Sequence, residues 1–183
     1  MTVRRNIILK HVDGSRIAFK NFAGESGPYN PSGKRTFAVF FRKPEDTDFV
    51  KQMIDDGWNV KHTKVVDDDG EPTYFLTVEV KFGNYPPKIM LIQDTKTPIT
   101  EDTVDILDNI TFDYVDLEIT PYNWTMNGKT GVKAYLKTMY VIPAKDVFED
   151  DYADIPRDNS PVIPYSDIDG DERDYTNEDE IPF

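Results

Sequence analysis

Within residues 73–82, Tyr74, Leu76, Val78, Val80 and Phe82 alternate with Thr77, Glu79 and Lys81. A period of two belongs to a strand with one face in a core and the other in water. Similar short stretches recur at residues 6–11, 16–22, 34–42, 58–66, 88–93, 111–120 and 132–142. Asp13-Gly14, a preferred pair for a tight turn, predicts a hairpin between the first two. The polar run Asp67-Asp68-Asp69-Gly70-Glu71-Pro72 predicts another turn. Pro44-Glu45-Asp46-Thr47 opens a helix pattern, with Phe49, Val50, Met53 and Ile54 at helical spacing before Gly57. Residues 100–107 suit a helical turn. Short strands with one or two short helices predict a mainly β fold, a small antiparallel barrel. The five-stranded OB barrel fits this length and the long connections.

The apolar pattern stops after Val141-Ile142-Pro143, where Asp, Glu, Pro, Ser and Asn take over. Such a composition cannot offset the entropy of ordering it, so residues 146–183 are expected to be a disordered acidic tail on a single domain of residues 1–145. No apolar run is long enough to span a membrane, and no secretory leader is visible at the start. The chain has no cysteine and two histidines, which excludes thiolate chemistry and disulfides and leaves little for a zinc site. These features predict a soluble cytoplasmic protein without cofactor or metal.

The net charge of -13 argues at first against a nucleic-acid partner. Its distribution argues otherwise. Residues 1–43 carry nine basic and two acidic groups, and residues 119–145 carry four lysines and no acid. Residues 44–118 and residues 146–183 each carry a net of -12, so residues 1–145 sum to only -1.

The basic blocks contain rings. Along residues 132–142, Val132, Ala134, Leu136, Tyr140 and Ile142 read as a core face, and Lys133, Tyr135, Lys137 and Met139 as the exposed one. Two lysines flanking a tyrosine suit a nucleic-acid strand, with cations on phosphates and a ring against a base. The preceding residues 120–131 read as a mobile loop turning at Asn127-Gly128, with Tyr122, Trp124 and Lys129 in it. In the first block, Arg16, Ala18, Lys20 and Phe22 are expected to share a face. The Gly- and Pro-rich loop from Gly24 to Gly33 contains Tyr29, and Lys34 and Arg35 follow it. Trp58, directly after a helix, reads as a packing residue. Lys20, Lys34, Arg35, Lys129, Lys133 and Lys137 are thus expected on phosphates, and Phe22, Tyr29, Tyr122, Trp124 and Tyr135 on bases. No helix pattern suggests major-groove readout, so the expected binding is tolerant of sequence.

Motifs of chemistry fail on their surroundings. Gly128-Lys129-Thr130 resembles the end of a phosphate loop, but the required upstream glycine falls at Asn123. Asp67-Asp68-Asp69 and Asp167-Ile168-Asp169-Gly170-Asp171 lack the remaining ligand pattern of a calcium loop. His11 and His62 have no nucleophile or carboxylate at a diagnostic spacing. Nothing points to an enzyme.

The chain closes Asn177-Glu178-Asp179-Glu180-Ile181-Pro182-Phe183. This acidic run ending in Ile-Pro-Phe resembles the tip of bacterial single-stranded DNA-binding proteins. The resemblance implies that Asp179, Glu180, Ile181, Pro182 and Phe183 dock replication or recombination proteins, the terminal ring entering an apolar pocket. The rest of the chain resembles a bacteriophage group of single-stranded DNA-binding proteins. The stretches that carry the likeness are Asn21-Phe22, Gly27-Pro28-Tyr29-Asn30-Pro31, Gly33 through Phe40, Asp56 through Lys61, Pro86-Pro87-Lys88-Ile89 and Pro121 through Tyr140. It implies an OB-type fold that coats single strands in phage DNA replication, recombination or repair, in the cytoplasm of a bacterial host. Two rival expectations are an acidic DNA mimic that inhibits a nucleic-acid enzyme, and a protein-binding assembly module.

Overall fold

One bent strand begins the fold of the computed structural model, which describes residues 5–66, 68 and 70–158. Strand β1 (Ile7–Asp13) enters a 3₁₀ turn at Gly14–Arg16 and leaves as β2 (Ile17–Asn21). The Asp13 carboxylate accepts from the Ser15 N–H at 2.9 Å and its hydroxyl at 2.7 Å, which fixes the corner. A side chain at Gly14 would run into the Phe112 carbonyl, so this glycine permits close backbone approach. The expected β1–β2 hairpin does not form, because the turn redirects one strand and does not reverse it.

Next come β3 (Thr36–Phe40), helix α1 (Thr47–Asp56), β4 (Val60–Val66) and β5 (Pro72–Glu79). They are followed by β6 (Lys88–Ile92), β7 (Lys96–Ile99), a 3₁₀ segment at Val104–Asp108, and the long strands β8 (Phe112–Met126) and β9 (Lys129–Pro143). The main sheet runs β1-β8-β9-β5-β3-β2, with β4 on β5 and β6 on β9. The two ends of this path are the two halves of the one bent strand, so the sheet closes on itself. Strands β4 and β7 each pair on one side only and remain as edges. This is a mainly β, OB-fold-like barrel, mostly antiparallel, with parallel pairing where β9 meets β5 and β6.

Its interior is filled from most of the strands. Phe22 is 0% exposed and stacks on Phe37 at 5.3 Å between ring centroids, with Phe112 at 6.4 Å. Burying such a ring contributes about 2–3 kcal/mol. The alternation in β5 holds, with Leu76, Val78 and the following Val80 buried. Helix α1 buries Val50 and Met53 and stops at Gly57, whose left-handed φ of 94° turns the chain so that the Trp58 N–H reaches the Met53 carbonyl. Trp58 packs behind it, as expected.

Strand β9 departs from the expected alternation. Glu118 of β8 pairs with Thr138, but Ile119 pairs with Leu136, leaving Lys137 as an extra residue. This bulge inverts the faces beyond it. Val132, Ala134 and Leu136 are buried before it, and Met139 and Val141 after it. The expectation of an exposed Met139 and core Tyr140 and Ile142 is therefore corrected. The bulge also lies between two partners, since β9 pairs with β5 at Ala134–Tyr135 and with β6 from Thr138 onward.

Contacts divide the chain after Lys145. In the second unit, residues 146–158 are exposed turns, with the Asp146 carboxylate accepting from the Phe148 N–H at 2.9 Å and Arg157 paired to Glu149 at 3.3 Å. Residues 159–183, including the Asp179–Phe183 tip and the acidic run at 167–171, lie outside the described residues, as do Asp67 and Asp69.

Candidate nucleic-acid interface

The solvent face of the barrel is set by the same alternation that fills its core. On β3 and β5 the pairs on this side are Thr36 with Glu79, Ala38 with Thr77 and Phe40 with Phe75, of which Ala38 is buried. Beside them, Lys61 of β4 pairs with Phe75, and Tyr135 of β9 pairs with Glu79. A groove here is lined by Tyr29, Asn30, Lys34, Lys61, Glu79 and Lys133, among others. A second groove adjoins it, lined by Lys81, Asn84, Tyr85, Tyr122 and Tyr135. Lys133 belongs to the first and Tyr135, two residues along β9, to the second, so the two form one track across the sheet.

The track's rings are held by different means. Gly24 and Gly33 close the base of the loop that carries Tyr29; a Cβ on either would stand 2.9 Å from the other's carbonyl oxygen. Asn30 braces the loop interior, donating to the Glu25 and Lys34 carbonyls at 3.1 and 2.8 Å and accepting the Lys34 N–H at 3.0 Å. Tyr29 stands fully exposed on this braced loop. Tyr122 and Tyr135 face each other across β8 and β9 at 5.3 Å, with the Lys81 ammonium 5.9 Å from the Tyr135 ring. Burial, then Glu79 and then Tyr122 push the Tyr135 phenol above its usual range, further favouring its neutral form. Tyr85 is 94% exposed at the track's end.

Its cations are available. Lys34, Lys61 and Lys133 form no ion pair with any described residue, whereas Arg16, Arg35, Arg42 and Lys137 do. Free ammonium groups beside exposed rings are the two elements of sequence-tolerant strand binding.

Of the residues expected from sequence, Tyr29, Lys34, Tyr122, Lys133 and Tyr135 come together on this track. Trp124 and Lys129 lie on an arm, where β8 and β9 continue as a ladder to a turn at Asn127-Gly128 with φ of 53° and 76°. The expected mobile loop is thus a hairpin. Lys137 sits in the bulge with its ammonium 3.2 Å from Glu118, whose carboxyl is held low by Asn6 and then Lys137.

One expectation is corrected, and two residues are held elsewhere in the fold. Phe22 has no exposed face for a base and belongs to the core. Lys20 donates to the Leu107 and Ile110 carbonyls at 3.0 and 2.6 Å and lies 4.3 Å from the Phe112 ring, so it clamps the 3₁₀ segment. Arg35 donates to the Phe22 carbonyl at 2.9 Å and pairs with Glu101 at 3.5 Å. For Lys20 and Phe22 the cause is a bulge between Ala18 and Asn21, which breaks the face that Arg16, Ala18, Lys20 and Phe22 were expected to share. Sequence reasoning missed Lys61, Lys81 and Tyr85. The outward phase of β4 and β5 marks the lysines, and the Asn84-Tyr85-Pro86-Pro87 run marks the ring.

Comparison with known proteins bears on the family and the fold. The family described as "Putative phage ssDNA-binding domain" matches residues 1–181. The single-stranded DNA-binding protein from bacteriophage Enc34 in complex with ssDNA is similar in fold, at 10% identity over 77% of this chain and 88% of that one, with a TM-score of 0.50. A second structure of the single-stranded DNA-binding protein from bacteriophage Enc34 gives 10% identity, coverages of 81% and 88%, and a TM-score of 0.49. The single-stranded DNA-binding protein gp2.5 of bacteriophage T7 gives 13%, 88%, 100% and 0.41 in the same order. No curated protein sequence matches.

Proposed function

The chain belongs to this phage single-stranded-DNA-binding domain family, and from that premise we propose that it binds and coats single-stranded DNA in phage DNA replication, recombination or repair. The observation that carries the reading is the single track on which lysines without an ion pair among the described residues lie beside exposed and half-buried tyrosines. Lys34, Lys61 and Lys133 would take phosphates. Tyr29, Tyr122, Tyr135 and Tyr85 would stack bases, each contributing about 1–3 kcal/mol. OB barrels bind oligonucleotides on this part of the fold, the face of the second and third barrel strands with the adjoining loops. Those strands correspond here to β3 and β5. Helix α1 contributes no side chain to the two grooves, which fits binding without a base-reading helix.

Recruitment of replication or recombination proteins through Asp179, Glu180, Ile181, Pro182 and Phe183 is part of the proposal. Its support is chemical: an apolar anchor stiffened by proline, with acidic residues that steer it toward a basic pocket.

Titration of oligo-dT at several salt concentrations, followed by tryptophan fluorescence, tests the binding role. Saturable binding is expected, weakening with salt by a log-log slope of roughly 0.7 per phosphate contact. Lys61→Ala and Lys133→Ala should each reduce that slope by about 0.7. Absence of binding at low salt would reject the proposal.

A further inference from the structure

The track does not end at Lys61. Beyond it, on the same sheet face, three phenylalanines are in mutual contact. Phe40 and Phe75 stack at 4.9 Å with their planes 24° apart, and Phe19 stands against both at 5.7 and 6.0 Å. None of the three is fully buried, and Phe19 is 69% exposed, unusual for a phenylalanine in a strand.

Phe19 reaches this position through its backbone. Regular alternation after the buried Ile17 and outward Ala18 would turn Phe19 into the core. Instead Phe19 has φ of 51° within the bulge between Ala18 and Asn21. A left-handed φ on a residue with a bulky side chain is a genuine outlier, and such outliers persist where the surrounding structure over-determines them, often at ligand sites. The bulge puts an apolar ring into water while Lys20 turns the other way to hold Leu107 and Ile110.

We infer that the Phe19–Phe40–Phe75 cluster is a further base-stacking subsite, continuing the lysine and tyrosine track along β3 and β5. The inference rests on the single-strand-binding reading and adds the place where a strand leaves the groove. Its occupant is an unpaired base, because the cluster is continuous with the groove. Phe75 is two residues from Thr77, which lines the groove, about 7 Å along the strand. Lys61, paired with Phe75 and lining the same groove, is placed to hold a phosphate between the two sites. A face adapted to a protein partner has no need of that continuity. Phe19 offers an accessible ring, while Phe40 and Phe75 support it from behind.

Phe19→Ala, Phe19→Leu and Phe19→Tyr in the full chain test this by anisotropy with labelled 30-mer oligo-dT. The alanine and leucine variants are expected to bind roughly 5- to 100-fold more weakly, and the tyrosine variant within about twofold of the parent. The salt slope should be unchanged in all three, because no phosphate contact is lost. If the parent binds and Phe19→Ala binds equally well, the subsite is rejected and the groove stands. If the parent does not bind, the underlying reading fails with it. Full affinity in Phe19→Leu would reject ring stacking. Sedimentation of the DNA-free parent as a dimer and of Phe19→Ala as a monomer would reassign the cluster to self-association. With the parent protein, oligo-dT carrying 5-iododeoxyuridine should crosslink to Phe19, Phe40 or Phe75. Crosslinks confined to the tyrosines would overturn the inference.

Discussion

Lys20 shows how a cation in a basic block can be committed to the fold. Its ammonium lies between two backbone carbonyls and beside the Phe112 ring, and burial first of all pulls its pKa below the usual lysine range. The Asp108 carboxylate completes the junction by accepting the N–H groups of Phe22 and Ala23 at 2.8 and 2.9 Å. Lys20→Ala would leave the Leu107 and Ile110 carbonyls without this donor, at a cost of about 1–3 kcal/mol. The expected outcome is a lower urea midpoint with oligo-dT affinity and salt slope unchanged. A reduced slope at constant stability would return Lys20 to the interface. Lys20 and Phe22 point where they do for one reason. Residue type announces a cation or a ring, but a bulge of one residue decides which way each points, and no composition marks that bulge. Tyr29 was legible because a tyrosine among glycines and prolines has little to pack against.

At the scale of elements, the hairpin of β8 and β9 carries most of what the sequence concealed. Both strands were legible as far as Thr120 and from Val132, where apolar residues alternate. Between them Tyr122, Asn123, Trp124 and Thr125 lack that pattern, because the ladder there is held by cross-strand pairing without a buried face. Trp124 pairs with Gly131, and its ring lies over that glycine, so a Cβ there would come within 2.7 Å of the ring. An aromatic ring covering a glycine on a neighbouring strand is a means of fixing register. Gly131→Ala should push the Trp124 ring outward. In a Trp58→Phe background, where Trp124 is the remaining fluorophore, a red-shifted emission and a few-fold loss of oligo-dT affinity are expected. Unchanged emission would show that the ring does not rest on Gly131. Unchanged affinity with shifted emission would remove Trp124 from the strand-binding set. The barrel itself was legible, since its alternating stretches and single helix survive as elements. The β1–β2 corner was not, because Asp13-Gly14 has the composition of a hairpin turn while the close approach of Phe112 decides the path.

At the scale of the whole molecule, charge is arranged by segment. Residues 1–145 sum to -1 and residues 146–183 to -12, so the barrel approaches a polyanion nearly neutral overall, with Lys34, Lys61 and Lys133 on one track. The acidic segment opposes that approach through long-range repulsion, whatever its conformation. Such repulsion acts on the association rate and is screened over a Debye length of about 8 Å at physiological ionic strength. A chain ending at Lys145 should therefore associate with oligo-dT faster than the full chain at low salt. The gap should close as salt is raised toward about 1 M, where the Debye length is about 3 Å. Stopped-flow measurement of both forms across ionic strength checks this. Dissociation at high salt should be the same in the two, because the track's lysines and rings all lie before residue 146. A rate advantage that persists at high salt would mean that the acidic segment does more than repel at a distance. Slower association of the shortened chain would reject the electrostatic account altogether.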